Sequence, residues 1–365
     1  MANLLKGKPV ADFINERSKK DIELLKQSNV NPTLAIVRVG NKQDDISYEK
    51  NASKKAIDLG IEVKSIVLDE QVEYSSFYKT LDELNDDNNI HGILLLRPLP
   101  KNLDNDKARN YIHPNKDVDG CTDASLSGVF TNTSVGFAPC TAQAAVEMLD
   151  YYDIDVKGKN ITVLGRSLVV GKPLSILLLN KNATVTICHT KTIDIPSISK
   201  NADIVIAATG QMESLNKDYF NHNQTIIDVG ISWNDEKQKL CGDVLFDEVE
   251  PFVANISPVP GGVGSVTTSV LINHVVEAAK RQWDYFKIFI RAGVAGVFIG
   301  IGGTAFLLSD SKLAGSLLFC VGLFAILTMN FDLFTGKVCY VFENKLAYLL
   351  DLIVIWVGNL VGTLS

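Results

Sequence analysis

Residues 162 to 178 read TVLGRSLVVGKPLSILL. A short β-branched run leads into a turn bracketed by Gly165 and Gly171, and Pro173 suits the opening of a helix. Strand, tight turn and helix in that order leave backbone N–H groups at a helix N-terminus, where a phosphate can bind. Alone the signal is weak, because the GxGxxG fingerprint is absent. The next apolar run, ATVTICHT (183–190), adds to it. Dinucleotide folds that take NAD place an acid near the end of that second strand, to hold the ribose 2′-hydroxyl. Here the strand ends Cys188-His189-Thr190-Lys191, with a cation and no acid, which favours a 2′-phosphate and hence NADP.

Working outward, further β-rich runs stand at 33–40, 62–69, 92–100, 160–167, 202–210 and 225–232. Helix-like segments such as SSFYKTLDELNDD and TAQAAVEMLDYYD lie between them, and the alternation predicts a parallel α/β architecture. The continuous apolar strands imply helices on both faces. Three strands precede PNKDVDGCTDASLSG and four follow the helix near Ala142–Tyr152, so two lobes with a cleft between them are expected. The boundaries expected are 1–138 for the first lobe, 139–266 for a Rossmann-like second lobe, and a helix over 267–282 that packs back on the first.

The chain has 365 residues, enough for two or three domains. A net charge of -7 gives no electrostatic case for nucleic acid. Its 6 cysteines are scattered with no CxxC pair, which predicts free thiols in a reducing compartment and no metal site. The start, MANLLKGKPVADF, has no apolar core of a signal peptide. Composition changes near residue 283. Three long apolar runs follow, at 292–309, 313–331 and 346–365, the last interrupted only by Asp351. Each is close to the length that crosses a bilayer core of roughly 30 Å, so an all-α membrane segment of about three helices is expected over 283–365, in contact with lipid. Arg281, Lys287 and Arg291 flank the first run, and positive flanks favour the cytoplasm.

Seven motifs occur in order: the tyrosine-bearing helix at Tyr48, Pro98-Leu99-Pro100, KDVDG (116–120), PCT (139–141), GRSLVVGKP (165–173), CHTKT (188–192) and PVPGGVGSVT (258–267). Together they make residues 3 to 282 resemble the methylenetetrahydrofolate dehydrogenase/cyclohydrolase family, with Ser265 where that family usually has proline. The resemblance implies oxidation of 5,10-methylenetetrahydrofolate by NADP, then hydrolysis of the methenyl product to 10-formyltetrahydrofolate. It implies Tyr48 stacking on the folate and Asp119 bonding the pterin, as the catalytic pair. Pro98, Leu99, Pro260, Gly261 and Gly262 would shape the folate wall. Gly165, Arg166, Ser167, Gly171, Thr190, Thr209, Gly210 and Ile231 would meet NADP, and the enzyme part would form a homodimer. Asp119 can also be read as a turn residue before Gly120, and Gly261-Gly262 as a bend.

Hydride transfer asks mainly for positioning, whereas hydrolysis needs an acid-base group. Family members that perform both steps carry a lysine four residues after the tyrosine and a glutamine before the LPLP segment. Here those positions are Ala52 and Leu96. At about 100° per residue Lys54 lies roughly 120° around the helix from Tyr48. Lys55 returns to the same face but roughly 10.5 Å along the axis. Dehydrogenase chemistry is therefore expected, with cyclohydrolase chemistry weak or absent.

Residues 287 to 365 resemble the beginning of the formate/nitrite transporter family through RAGVAGVFIGIGG, KLAGSLLFCVGL, FDLFTGKVCY and WVGNLVG. LFTG (333–336) matches that family's broken-helix loop, and Asp332 beside it reads as a pore-mouth residue or as the polar end of a span. About half of that family's spans are present, so anchoring is expected in place of transport. Two rival readings stand: a channel-like membrane subunit whose folate lobe only senses ligand, and a soluble cytoplasmic enzyme with an artefactual fusion.

Overall fold

The computed structural model describes residues 2–329, 331–342 and 348–365. It separates into two compact units, Met1–Ala279 and Lys280–Ser365.

In chain order the strands are β1 (Asn3–Leu4), β2 (Thr33–Val39), β3 (Glu62–Leu68), β4 (Gly92–Leu95), β5 (Asn160–Leu164) and β6 (Thr184–Cys188). They continue with β7 (Ile204–Ala207), β8 (Thr225–Asp228), β9 (Ser232–Asn234), β10 (Lys239–Cys241) and β11 (Asn255–Ile256). The first lobe is a parallel sheet in the order β3-β2-β4. Every residue of β2 is buried, as a central strand covered on both faces requires. β3 is an edge strand with much of its length exposed. Behind this sheet Val37, Phe77, Leu81, Ile93, Leu95, Leu99 and Leu103 form one apolar cluster. The second lobe is a parallel sheet in the order β1-β11-β8-β7-β5-β6, and Leu164, Val205, Ala207, Ile226 and Ile256 belong to its core.

The expected α/β architecture holds, with corrections at the edges. β1 pairs with β11, so the first strand of the chain belongs to the second sheet and not to the first lobe. Two-residue strands carry no alternation to read. The run expected over 92–100 stops at Leu95, because Pro98 and Pro100 have no N–H to give a ladder. The run over 225–232 stops at Asp228, and Ser232 opens the antiparallel hairpin β9–β10.

The helix expected over 267–282 runs from Gly264 to Leu308, since no proline interrupts it. Its first turns bond to the first lobe: Ser18 Oγ donates to Asn273 Oδ1 at 3.3 Å, and His274 Nδ1 lies 2.8 Å from the Val118 carbonyl.

Gly264–Leu308 is the one helix long and apolar enough to cross a membrane among the described residues; Lys312–Thr328 and Tyr348–Leu364, in the second unit, are shorter apolar helices. Asn330, inside the second expected span, and Leu346, which opens the third, lie outside the described residues. The LFTG break is a short helix, Phe334–Lys337. Asn359 satisfies its surroundings: its side-chain N–H donates to Ala292 O (2.7 Å) and Asp332 O (2.9 Å), and its oxygen accepts from Phe334 N (2.7 Å). Asp332 is buried and paired with Arg291 (3.0 Å) and Lys337 (3.2 Å), which makes it an internal tie. A Cβ on Gly362 would strike the Gly293 carbonyl, so these helices approach at glycines.

Candidate active site

The first cleft sits at the C-terminal end of β4, the usual ligand position in an open α/β sheet. The helix Gln43–Leu59 supplies one wall, and Asp44 and Asp45 in its first turn complement the helix dipole. The helix is fastened to β2 by Arg38, a buried arginine whose Nε donates to Glu49 Oε2 at 2.6 Å. Arg38 Nη1 also donates to the Gly40 carbonyl and to Asn41 Oδ1 (3.0 Å), while Glu49 accepts from Ser65 Oγ. This clasp fixes the turn that presents Tyr48, which is 37% exposed.

The turn Asp117–Gly120 supplies the opposite wall. Asp117 is fully buried and accepts from Cys121 N (3.0 Å), Thr122 N (2.8 Å) and Ser125 Oγ (2.6 Å). Gly120 has φ +70, and a Cβ there would meet the Ala138–Pro139 backbone. Lys116, beside it, is no catalyst. Its ammonium donates to Leu84 O (3.0 Å), Asn85 O (2.7 Å) and Asp87 O (2.8 Å), closing the C-terminal end of helix Tyr74–Asp86.

Tyr48, Asp119, Asp44, Asp45, Leu94, Leu95, Leu96 and Arg97 line one cavity of about 330 Å³. Burial, then the neighbouring Asp117, pushes the Asp119 carboxyl up to about 6, against the opposing pull of Arg97 and a hydrogen bond from Cys140. Burial and the Asp119 charge push the Tyr48 phenol above its ordinary value. Ala52 is packed away at 1% exposure. Lys55 does not line the cavity: its Nζ donates to Ser269 Oγ at 2.6 Å, and burial lowers its pKa against the pull of Asp12.

Other expected folate residues stand apart from this cavity. Leu99 is a core residue at 5% exposure, and Pro98 turns its carbonyl to Lys42 Nζ (2.7 Å). The Pro260–Gly262 bend, with Gly261 at φ +101, meets the start of helix Gly7–Gln27, where Gly7 N donates to Gly261 O at 2.8 Å. Arg97, at the cavity rim, is the residue that sequence reasoning missed; its one signal was a cation before the proline pair.

The second site is a groove of about 460 Å³ at the ends of β5, β6 and β7, lined in part by Gly165, Arg166, Ser167, His189, Thr190, Thr209, Gln211 and Ser214. A Cβ on Gly165, at φ +127, would strike the Ala208 carbonyl, so the groove floor requires glycine. Ser167 Oγ accepts from Val170 N at 3.1 Å and so shapes the turn. Gly171 sits below, where a Cβ would meet the Gly165 carbonyl; it is a packing residue. Thr209 N (2.6 Å) and Gly210 N (3.0 Å) both donate to the buried Asp243 carboxylate, which holds their loop. Ile231 is 57% exposed and lies outside the groove lining. The lining offers a cation and many donors with no carboxylate, a set that fits the phosphates of NADP. No group of metal-ligating side chains occurs among the described residues.

Comparison with known proteins agrees with this geometry. The tetrahydrofolate dehydrogenase/cyclohydrolase catalytic-domain model matches residues 5–119, and the NAD(P)-binding-domain model of that name matches 139–283. The formate/nitrite transporter model matches 267–365. The chain is 50% identical over 282 residues to the bifunctional protein FolD of Clostridium botulinum (strain Okra / Type B1), covering 77% of this chain and 100% of that protein. It is 46% identical over 279 residues to its counterpart in Clostridioides difficile (strain 630), covering 76% and 97%. Among solved structures, the bifunctional FolD of Campylobacter jejuni superposes with a TM-score of 0.75 at 34% identity, covering 77% and 100%. The Trypanosoma brucei dehydrogenase-cyclohydrolase complexed with NADP cofactor and inhibitor gives 0.72 at 31%, covering 77% and 98%.

Proposed function

The chain belongs to the tetrahydrofolate dehydrogenase/cyclohydrolase family, and we propose that it keeps the first reaction of that family and has lost most of the second. It oxidises 5,10-methylenetetrahydrofolate with NADP. In the reaction a C–H bond of the methylene bridge breaks with its electron pair, and the folate keeps a positive charge shared by N5 and N10. NADP supplies the hydride acceptor.

Arg166 and Thr190 hold the 2′-phosphate, and Gly165, Ser167 and the Thr209–Gly210 loop frame the groove. Tyr48 packs on the folate ring. Its phenol stays protonated at neutral pH, so it serves as a donor and not as a base. Asp119 is ionised at neutral pH and accepts from the pterin N–H groups. Its negative charge favours a product that gains positive charge.

The observation that carries the loss of hydrolysis is the helix face beyond Tyr48. Position 52 is a buried alanine, position 96 is a leucine, and Lys55 is engaged by Ser269. With Asp119 engaged by the pterin, no further positioned acid-base group serves the attacking water. With the full chain in detergent, NADPH is expected to form from the methylene compound while methenyl hydrolysis stays near the uncatalysed rate. Absence of NADPH formation would favour a ligand-sensing lobe.

The apolar segment is read as about three membrane spans, with the catalytic unit in the cytoplasm and homodimeric. The support for the spans is the apolar helices and the transporter-family match. Membrane fractionation tests this, and a cytosolic product lacking the segment overturns it.

A further inference from the structure

The cavity around Tyr48 contains a cation that the reaction described above leaves without a task. Arg97 follows β4, and its Nη2 lies 3.8 Å from Asp119 Oδ2. That separation makes an ion pair but is too long for a hydrogen bond. The two groups are therefore close without being closed on each other. Arg97 Nε is buried and meets no hydrogen-bond acceptor among the described residues. A guanidinium that served only to hold the fold would have its donors met, as Arg38 has.

Both side chains line the cavity and stay partly exposed to it, Arg97 by 24% and Asp119 by 31%, and a donor beside an acceptor has a chemical complement. A cyclic amide edge presents one N–H next to one C=O, and the pterin ring of a folate carries such an edge. We propose that Arg97 and Asp119 together read this lactam edge, Asp119 accepting from the ring N–H and Arg97 donating to the ring carbonyl. The inference rests on the folate reading and assigns Arg97 a substrate-contacting role. It also explains how the cavity functions with alanine at position 52: its fixed positive charge arrives from the strand side. Arg97 is the one basic residue in the cavity lining.

Charges around Asp119 define the pH signature. Asp117 and the Tyr48 phenol face it, Cys140 donates to it, Cys121 lies within electrostatic reach, and Arg97 is the favourable cation. Removing the cation makes the carboxylate harder to form, so the acid limb of the rate profile moves to higher pH.

The test uses the full chain in detergent, with initial rates of NADPH formation from 5,10-methylenetetrahydrofolate between pH 5 and 8. R97L is expected to raise the folate KM about 10- to 100-fold, the loss of a charged hydrogen bond, with the KM for NADP within about twofold of wild type. Its acid limb should shift upward. R97K should leave the limb in place and recover part of the KM, while R97Q, which keeps a donor without charge, should shift the limb with a smaller KM change. Thermal melts of all three report folding, and R97K carries the test if R97L does not fold. An unchanged folate KM and limb in R97L, or equal losses toward folate and NADP, overturns the proposal. A wild-type chain that forms no NADPH overturns instead the folate reading on which it rests.

Discussion

The groove and the cavity of the catalytic unit are built from different materials. The groove is a backbone construction: Gly165 at φ +127 leaves room beside the Ala208 carbonyl, and two loop N–H groups hang from the Asp243 carboxylate. The cavity is a side-chain construction, in which Tyr48, Asp119 and Arg97 converge from a helix, a turn and a strand end. Backbone geometry resists substitution, whereas a side-chain constellation can lose one reaction and keep another. Hydride transfer needs two ligands held in register, and both sites still provide that. Hydrolysis needs a particular acid-base group, and in the reading proposed above the alanine at 52 and the leucine at 96 take it away.

The largest effect is expected where the backbone is touched. Gly165→Ala forces a Cβ into a positive-φ position against a carbonyl, at a cost of about 1–3 kcal/mol, and should lower kcat/KM for NADP about 10- to 100-fold in steady-state assays. If it retains wild-type rates, the backbone half of the contrast is broken. Asp119→Asn comes next. It keeps the shape but loses the charge-assisted bond, so kcat/KM for folate should fall about 10- to 100-fold and the acid limb near 6 should vanish from the pH profile.

A gain of function sharpens the side-chain half. The pair Ala52→Lys with Leu96→Gln should raise methenyl hydrolysis at least about tenfold over wild type, measured by loss of methenyl absorbance. Hydrolysis left at background would mean that more than these two positions was lost.

The smallest effect is on stability. Burial pushes the Asp228 carboxyl up to about 7, despite N–H donation from Val244, Asp243 and Gly230. Between its ordinary value and 7 the folded state holds a proton that the unfolded state has released, so this group makes stability fall as pH rises through that window. Calorimetric melts should show a shallower pH slope over that window in Asp228→Asn, on a lower baseline.

The long strands and the missing lysine were legible because each is a local pattern: continuous apolar runs for β2, β5 and β8, and a four-residue spacing for Ala52. What was not legible depends on neighbours distant in the chain. β1 acquires its place only by pairing with Asn255 and Ile256. Leu99 and Arg97 lie two residues apart, yet one is core and the other lines the cavity, because the prolines turn the chain out of the sheet. Helix spacing set Lys55 two turns from Tyr48, but its partner Ser269, more than 200 residues later and 2.6 Å away, could not be read from the sequence.

Lys116 carries a consequence for chemical mapping of this surface. All three of its ammonium protons are committed to carbonyls at one helix end, and the residue is 9% exposed. Toward an acylating reagent it behaves as a masked amine while neighbouring lysines are modified. Its labelling then reports the opening of helix Tyr74–Asp86. The KDVDG lysine is thus a built-in clock for local unfolding beside the Tyr48 cavity.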